Sequence, residues 1–93
     1  MSITCLLYFK DEADKAMKLA ELAGFYPSLI ERHDFPDGEF KLKLPSTLSS
    51  RVVLFRSLNH PNEKLVELLL AAKTARQLRV QHLSLVAPYL AYL

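Results

Sequence analysis

Apolar residues recur along this chain with several spacings, and each spacing predicts a different element. Residues 3–8 form a nearly continuous apolar run, which predicts a strand. Small apolar residues then recur at helical spacing from Ala13 to Ala23, and Gly24 is a typical residue to end such a helix. Asp11 precedes this helix at a position where a side chain can cap the first turn. We therefore predict a strand followed by a helix whose N-cap is Asp11.

The middle of the chain predicts an antiparallel hairpin. Phenylalanine or leucine alternates with lysine over residues 40–44, which is the period of a strand with one buried and one exposed face. Residues 28–33 predict the partner strand. The pair Asp37-Gly38 lies between them, and glycine adopts the positive φ that a tight hairpin turn requires.

The second half predicts a β-α-β unit. Residues 52–55 and 83–87 are nearly continuous apolar runs, as expected of parallel strands that are covered on both faces. A helix over residues 62–78 joins them, with Pro61 near its first turn, where a missing N–H is tolerated. Within this helix, residues 65–72 are apolar except Glu67. A helix that covers one face of a sheet needs only one apolar stripe. We therefore expect the second apolar side of this helix to contact a partner, and we predict a homo-oligomer.

Composition excludes several classes of protein. The 93 residues suffice for one small domain, and the net charge of +2 is too small to indicate a nucleic-acid-binding protein. The single cysteine, Cys5, excludes an internal disulfide and is predicted to lie in the core. No apolar run reaches the ~20 residues of a membrane span, and no signal peptide is visible. We predict a cytoplasmic protein without a nucleic-acid or membrane partner.

The residues that could carry chemistry are concentrated in Phe35-Pro36-Asp37-Gly38-Glu39. Taken alone, this segment is typical of an ordinary hairpin turn. It also places an aromatic ring that can stack on a purine beside carboxylates that can accept a hydrogen bond from an exocyclic amine. An acid/base pair is rejected, because nothing around the two carboxylates supplies a nucleophile or partner base.

Two further groups of residues have alternative interpretations. The three histidines lack the spacing of metal ligands, so no metal site is predicted, although His33 borders the 35–39 segment. Arg56 and Ser57 follow a central strand at its C-terminal end, where open α/β sheets bind ligands. They could equally form a solvated strand end.

In order and spacing, these motifs resemble the N-terminal part of the ribose-phosphate pyrophosphokinases, also called phosphoribosyl-pyrophosphate synthetases. The resemblance is carried by the 35–39 segment, the strand that follows it, Pro61-Asn62-Glu63-Lys64-Leu65, Glu67-Leu68-Leu69 and Pro88-Tyr89. It implies an α/β fold, namely a phosphoribosyltransferase-like open sheet of mainly parallel strands with one antiparallel hairpin, in the order β-α-β-β-β-α-β. It also implies that residues 1–93 are a single domain, the incomplete N-terminal half of a two-domain enzyme.

The resemblance implies a reaction as well. The family transfers the pyrophosphoryl group of ATP to ribose 5-phosphate, with Mg²⁺. By this resemblance Phe35, Asp37 and Glu39 bind ATP, on a loop that receives its adenine and commonly completes a site shared with a neighbouring subunit. The family's metal-binding histidine, catalytic loop and ribose-5-phosphate loop have no counterpart in this sequence. We therefore predict no catalytic or metal-binding residue here, and an inactive chain that binds no cofactor by itself.

Three expectations complete the comparison with this family. Ser49 stands where many members carry an arginine used for sensing phosphate and ADP, so phosphate activation is not expected. A non-catalytic regulatory or associated subunit of the same fold is the alternative function. An unrelated receiver-like domain would need an acidic phosphoacceptor at a strand end, whereas these strands end at Arg56-Ser57 and Pro88-Tyr89.

Overall fold

A computed structural model describes residues 3–59 and 61–88, and its elements follow the predicted order β-α-β-β-β-α-β. Strands and helices are β1 (Cys5–Phe9), α1 (Ala13–Ala23), β2 (Tyr26–Asp34), β3 (Phe40–Lys43), β4 (Arg51–Phe55), α2 (Pro61–Gln77) and β5 (His82–Val86). A short 3-10 turn, Lys10–Glu12, joins β1 to α1. The predicted α/β fold class, with its single antiparallel hairpin, is confirmed.

The five strands form one sheet in the order β3-β2-β1-β4-β5. β1 pairs in parallel with β2 on one side and β4 on the other, and β4 pairs in parallel with β5. Only β2 and β3 pair antiparallel within the described chain, with Arg32 opposite Leu42 and Asp34 opposite Phe40. The chain therefore leaves β1 toward one edge of the sheet and leaves β4 toward the other.

The two helices cover opposite faces of this sheet. The side chains of β1 show this, since successive residues of a strand point to opposite sides. Leu6 and Tyr8 pack in one cluster with Ala16 and Ala20 of α1. The alternate residues of β1 point to the other face, where strand residues and residues of α2 form a larger cluster. Its members include Cys5, Leu7, Phe9, Ile30, Val52 and Leu54 from the strands and Leu68, Ala71 and Ala75 from α2. Cys5 is thus a core residue, as predicted.

The C-terminus of α1 agrees with the sequence, but its N-terminus does not. Gly24 has φ +74°, and its N–H donates to the carbonyl of Ala20. At the other end, Glu12 occupies the N-cap position of α1, and its side chain makes no capping hydrogen bond to the helix. The prediction that Asp11 is the N-cap is wrong, because its carboxylate accepts a hydrogen bond from Arg56 instead.

The two predicted buried strands differ in the structure. β4 is buried from Val52 to Phe55, as predicted. In β5, by contrast, only Leu83 packs against the core, and residues 84–86 are exposed. The prediction that both faces of β5 are covered is wrong, because β5 lies at the edge of the sheet and α1 packs over β1 and β2.

Helix α2 has the uncovered second side that its sequence indicates. Leu68, Ala71 and Ala75 face the core. Four apolar residues are exposed on the other side: Leu65, Val66, Leu69 and Leu70. In the described part of the chain, no helix is long and apolar enough to cross a membrane.

Candidate functional site

The predicted nucleotide-binding residues lie on one exposed turn, the 35–39 loop, between β2 and β3. The N–H of Phe35 donates to the carbonyl of Glu39 at 2.8 Å, and the N–H of Gly38 donates to the carbonyl of Phe35 at 3.1 Å. The Asp37 carboxylate accepts the N–H of Glu39 at 3.1 Å. Gly38 has φ +90°, so the turn needs a residue without a side chain there. The predicted hairpin turn is confirmed.

This loop projects from the sheet because β2 is longer than its neighbour. The pairing of β1 with β2 ends at Phe9 and Ile30, whereas β2 continues to Asp34 and pairs there with β3. The extra residues form a two-stranded ribbon beyond the C-terminal end of β1. The 35–39 loop is the tip of that ribbon.

An open groove of about 1200 Å³ lies beside the ribbon and the C-terminal ends of β1 and β4. His33, Phe35, Lys41 and Lys43 line it from the ribbon. Lys10 and Asp11 line it after β1, and Arg56 lines it after β4. Carboxylates line the groove as well, so its wall combines aromatic rings with side chains of both charges. It lies at the edge of the sheet where open α/β domains bind ligands.

The structure brings the three predicted ATP-binding residues onto one loop but not into one cavity. Phe35 lines the groove and is 40% exposed, and its ring meets that of His33 edge-on, with the centroids 4.6 Å apart. Asp37 and Glu39 are exposed at the tip of the loop and are not among the residues that line the groove. A ligand that touches all three would thus lie partly outside the groove, over the tip of the loop.

Arg56 is neither a solvated strand end nor a free ligand contact, because its guanidinium is buried among carboxylates. Its Nε and Nη2 donate to Oε1 of Glu67 at 2.9 and 2.6 Å. Its Nη1 donates to Asp11 at 2.7 Å and to Glu12 at 3.1 Å. The guanidinium also lies over the ring of Phe9, 4.3 Å from its centroid. Burial alone would lower the pKa of Arg56, but hydrogen bonds to Asp11 and Glu67 outweigh it and raise that pKa.

Ser57 is buried as well, and it holds the second carboxylate of this cluster. Its N–H donates to both carboxylate oxygens of Glu12, at 3.1 and 3.2 Å, and its hydroxyl donates to Oε2 of Glu12. Residues 56 and 57 therefore tie the end of β4 to the start of α1. This explains why Glu12 is buried, although it stands at the N-cap of a helix.

Arg32 extends the cluster from α2 to the ribbon. Its Nη1 donates to Oε2 of Glu67 at 2.7 Å, and its Nη2 pairs with Glu63. Burial tends to lower the pKa of Arg32, but its hydrogen bonds to Glu63, Glu67 and Asp34 raise it above its ordinary value. Glu67, which is 1% exposed, therefore accepts hydrogen bonds from two arginines, one on each of its oxygens.

The described residues do not fit a metal ion. Over residues 3–59 and 61–88, no group of three His, Cys, Asp or Glu side chains could hold one. The carboxylates that do cluster, those of Glu12 and Glu67, are engaged by arginine and serine donors. No residue of the described chain is therefore assigned to Mg²⁺.

Sequence reasoning identified the 35–39 loop but missed the arginine–glutamate cluster beneath it. One signal was present, since Glu67 is the only polar residue in the apolar stretch of α2. An isolated acid in such a stretch indicates a buried partner. The identity of that partner could not be inferred, because Arg32 and Arg56 approach Glu67 from separate strands.

The fold and the loop together define an open-sheet α/β domain with a protruding hairpin at the C-terminal edge of its central strands. The sequence matches, over residues 4–93, the family described as the N-terminal domain of ribose phosphate pyrophosphokinase. The chain belongs to this family, and the resemblance noted in its motifs is confirmed.

Individual relatives support the same assignment. A ribose-phosphate pyrophosphokinase from Saccharolobus solfataricus is 40% identical over 65 residues, which are 68% of this chain and 22% of that protein. One from Methanopyrus kandleri is 32% identical over 76 residues, which are 81% of this chain and 26% of the relative. One from Sulfolobus acidocaldarius is 37% identical over 65 residues. The matched segment thus spans only 22% to 26% of the length of these relatives.

Proposed function

We propose that this chain is the N-terminal portion of a ribose-phosphate diphosphokinase and contributes the adenine-recognition loop for ATP. The enzyme of which it forms part would make phosphoribosyl pyrophosphate from ATP and ribose 5-phosphate, with Mg²⁺, for nucleotide biosynthesis in the cytoplasm. The observation that carries the proposal is the family match over residues 4–93 together with the single loop that presents Phe35, Asp37 and Glu39.

The geometry of the loop suits a purine. Phe35 is 40% exposed and meets His33 in an edge-on contact, so part of its ring is open to stacking. Asp37 uses Oδ1 to hold the Glu39 N–H, and a carboxylate has a second oxygen for a ligand. The 6-amino group of adenine can donate to that oxygen, whereas the 6-carbonyl of guanine cannot, and the exocyclic amine of guanine lies at C2, on a different edge of the base. This difference supports a preference for ATP over GTP.

We also propose that the 93 residues do not transfer pyrophosphate by themselves. Phosphoryl transfer requires clamps on the transferred group and a positioned metal. The described residues offer no set of ligands for a metal ion, and the sequence has two glycines, too few for a glycine-rich phosphate loop. The loop would act on ATP within a larger assembly, and the exposed apolar side of α2 supports contact with a second copy.

The test uses the intact enzyme that contains this chain. Phe35→Ala removes the stacking surface, which is worth about 1–3 kcal/mol for a base on an aromatic ring, so the KM for ATP should rise about fivefold or more. Asp37→Asn offers an amide N–H to the guanine carbonyl, and it should reduce the preference for ATP over GTP. Neither variant should change the KM for ribose 5-phosphate.

Glu21→Gln is a matched control, since it alters an exposed carboxylate on α1 away from the loop. An unchanged KM for ATP in both loop variants would overturn the assignment of the loop. Formation of phosphoribosyl pyrophosphate by the purified 93-residue chain would refute its proposed inactivity. If the intact enzyme binds nucleotide but forms no product, the alternative of a non-catalytic associated subunit is favoured.

A further inference from the structure

The 35–39 loop fixes its own shape but not its position. Its backbone hydrogen bonds join loop residues to one another, from Phe35 to Glu39 and from Gly38 to Phe35. All of its residues are exposed. Because these hydrogen bonds join loop residues to each other, both the placement of the turn and the protection of its amides depend on how firmly the two strands are held where they leave the sheet.

Arg32 contacts both strands at that point. Its Nε donates to Oδ1 of Asp34 at 2.9 Å, and its Nη2 lies 2.8 Å from the same oxygen. Its guanidinium also lies over the ring of Phe40, 4.1 Å from the centroid. Asp34 immediately precedes the loop, Phe40 immediately follows it, and the two are cross-strand neighbours. One planar side chain therefore contacts both ends of the loop.

The other side of Arg32 is anchored in the interior. Its Nη1 donates to Oε2 of Glu67 at 2.7 Å. Glu67 is buried on α2, and its other oxygen is held by Arg56 at the end of β4. A buried carboxylate fixed by a second, buried arginine has little freedom to move. A continuous series of charge-assisted hydrogen bonds thus runs from β4 through α2 to the base of the loop.

We propose that Arg32 is a positioning residue that fixes the 35–39 loop relative to α2 by linking Asp34 and Phe40 to the buried Glu67. Its importance for nucleotide recognition rests on the proposed function of the loop, but its effect on loop geometry does not. Lysine cannot replace arginine here, because a single ammonium cannot stack on Phe40 while it donates in the plane to Asp34 and Glu67.

Amide hydrogen exchange of the 93-residue chain without nucleotide tests the positioning role. In Arg32→Lys the amides of Phe35 and Glu39 should exchange about two to five times faster, because the base of the loop is released. Core amides of β1 should keep their rates, which separates loosening of the loop from a general loss of stability. Asp34→Asn changes an exposed side chain and leaves Glu67 paired, but it removes the negative charge that strengthens the hydrogen bond from Arg32, so it should accelerate the same two amides by a smaller factor.

Glu31→Gln is the matched control, since it lies beside Arg32 on β2, pairs with Lys43 across the ribbon and points to the opposite face. Unchanged loop exchange in both Arg32→Lys and Asp34→Asn would overturn the proposal. Should Arg32→Lys fail to fold, Asp34→Asn alone decides.

The KM for ATP, measured separately in the intact enzyme and its loop variants, distinguishes this inference from the function proposed for the loop. Faster loop exchange without any effect of the loop residues on ATP would leave the positioning role standing and remove the nucleotide role. If the loop variants raise the KM for ATP while loop exchange is unchanged in Arg32→Lys and Asp34→Asn, the nucleotide role stands and the positioning role is removed.

Discussion

Replacement of Glu67 by leucine should destabilise the domain strongly, although leucine suits its apolar neighbours in the sequence. Glu67 is 1% exposed and Arg56 is 4% exposed. The variant leaves the Arg56 guanidinium buried without the oxygen that Nε and Nη2 share at 2.9 and 2.6 Å. Removing one partner of a buried ion pair costs about 3–5 kcal/mol. Asp11 and Glu12 remain near Nη1, so we expect the lower part of that range.

Such a loss is large for a chain of 93 residues. Domains of this size have a free energy of unfolding of about 5–14 kcal/mol, at roughly 0.05–0.15 kcal/mol per residue. With a urea m-value of about 1.5 kcal/mol/M, a loss of about 3 kcal/mol lowers the midpoint of unfolding by about 2 M. Urea titration followed by far-UV circular dichroism measures this shift, and an unchanged m-value shows that the change lies in stability.

The double variant Arg56→Met, Glu67→Leu removes the buried Arg56–Glu67 pair and should recover part of the lost stability, since an apolar pair of similar volume avoids the desolvation cost. The recovery is partial because the buried Glu12 loses Arg56 and keeps only the donors of Ser57. Glu63→Leu is the control, because Glu63 pairs with Arg32 from an exposed position and its loss should cost less than about 1 kcal/mol. The reasoning is refuted if Glu67→Leu costs no more than this control. It is equally refuted if the double variant costs the sum of the two single variants.

Three further predictions concern the helix ends, the buried thiol and the exposed side of α2. Arg79 has φ +69° after α2, the left-handed conformation that Gly24 adopts after α1. We expect Arg79→Gly to raise the free energy of unfolding by up to about 1 kcal/mol and Gly24→Ala to lower it by about 1 kcal/mol. The two variants should shift Tm in opposite directions, and shifts of the same sign would contradict this. Burial raises the pKa of Cys5, so the unfolded thiol ionises first and stability falls as the pH rises through the folded value. Cys5→Ala should therefore reduce the decline of the free energy of unfolding with pH in the alkaline range. An unchanged slope would show that the Cys5 thiol does not cause this decline. Leu69, which is 72% exposed on α2, should support self-association, so Leu69→Lys should shift sedimentation toward the monomer, and a monomeric unsubstituted chain at tens of micromolar would exclude this contact.

Much of the fold could be predicted because its signals are local. The alternation over residues 40–44 and the turn at Asp37-Gly38 predicted the hairpin that β2 and β3 form. Gly24 predicted the end of α1, since the backbone there needs a positive φ. The same kind of local reasoning failed at Asp11, where a partner 45 residues away in sequence takes the carboxylate that a helix cap would use.

The same distinction between local and distant contacts applies to the candidate site. Its loop was predicted, because Phe35, Asp37 and Glu39 are close in sequence and a turn keeps them close in space. The anchor of that loop was not, because it joins β2, α2 and β4 through side chains separated by 35 and 11 residues. Apolar periodicity shows that a residue is buried, but it does not show which residue it meets.

By itself the sequence determined the order of the elements, the hairpin and its turn, the burial of the central strands and the family, since each depends on spacing along the chain. Only the tertiary structure decided that β5 is an edge strand and that Arg56 is an interior ion. It also decided that Glu67, the one polar residue in an apolar stretch, links the core to the loop. The physical reason is that local spacing sets backbone conformation and sidedness, whereas the strand order and register of the sheet decide which charges come within hydrogen-bond distance.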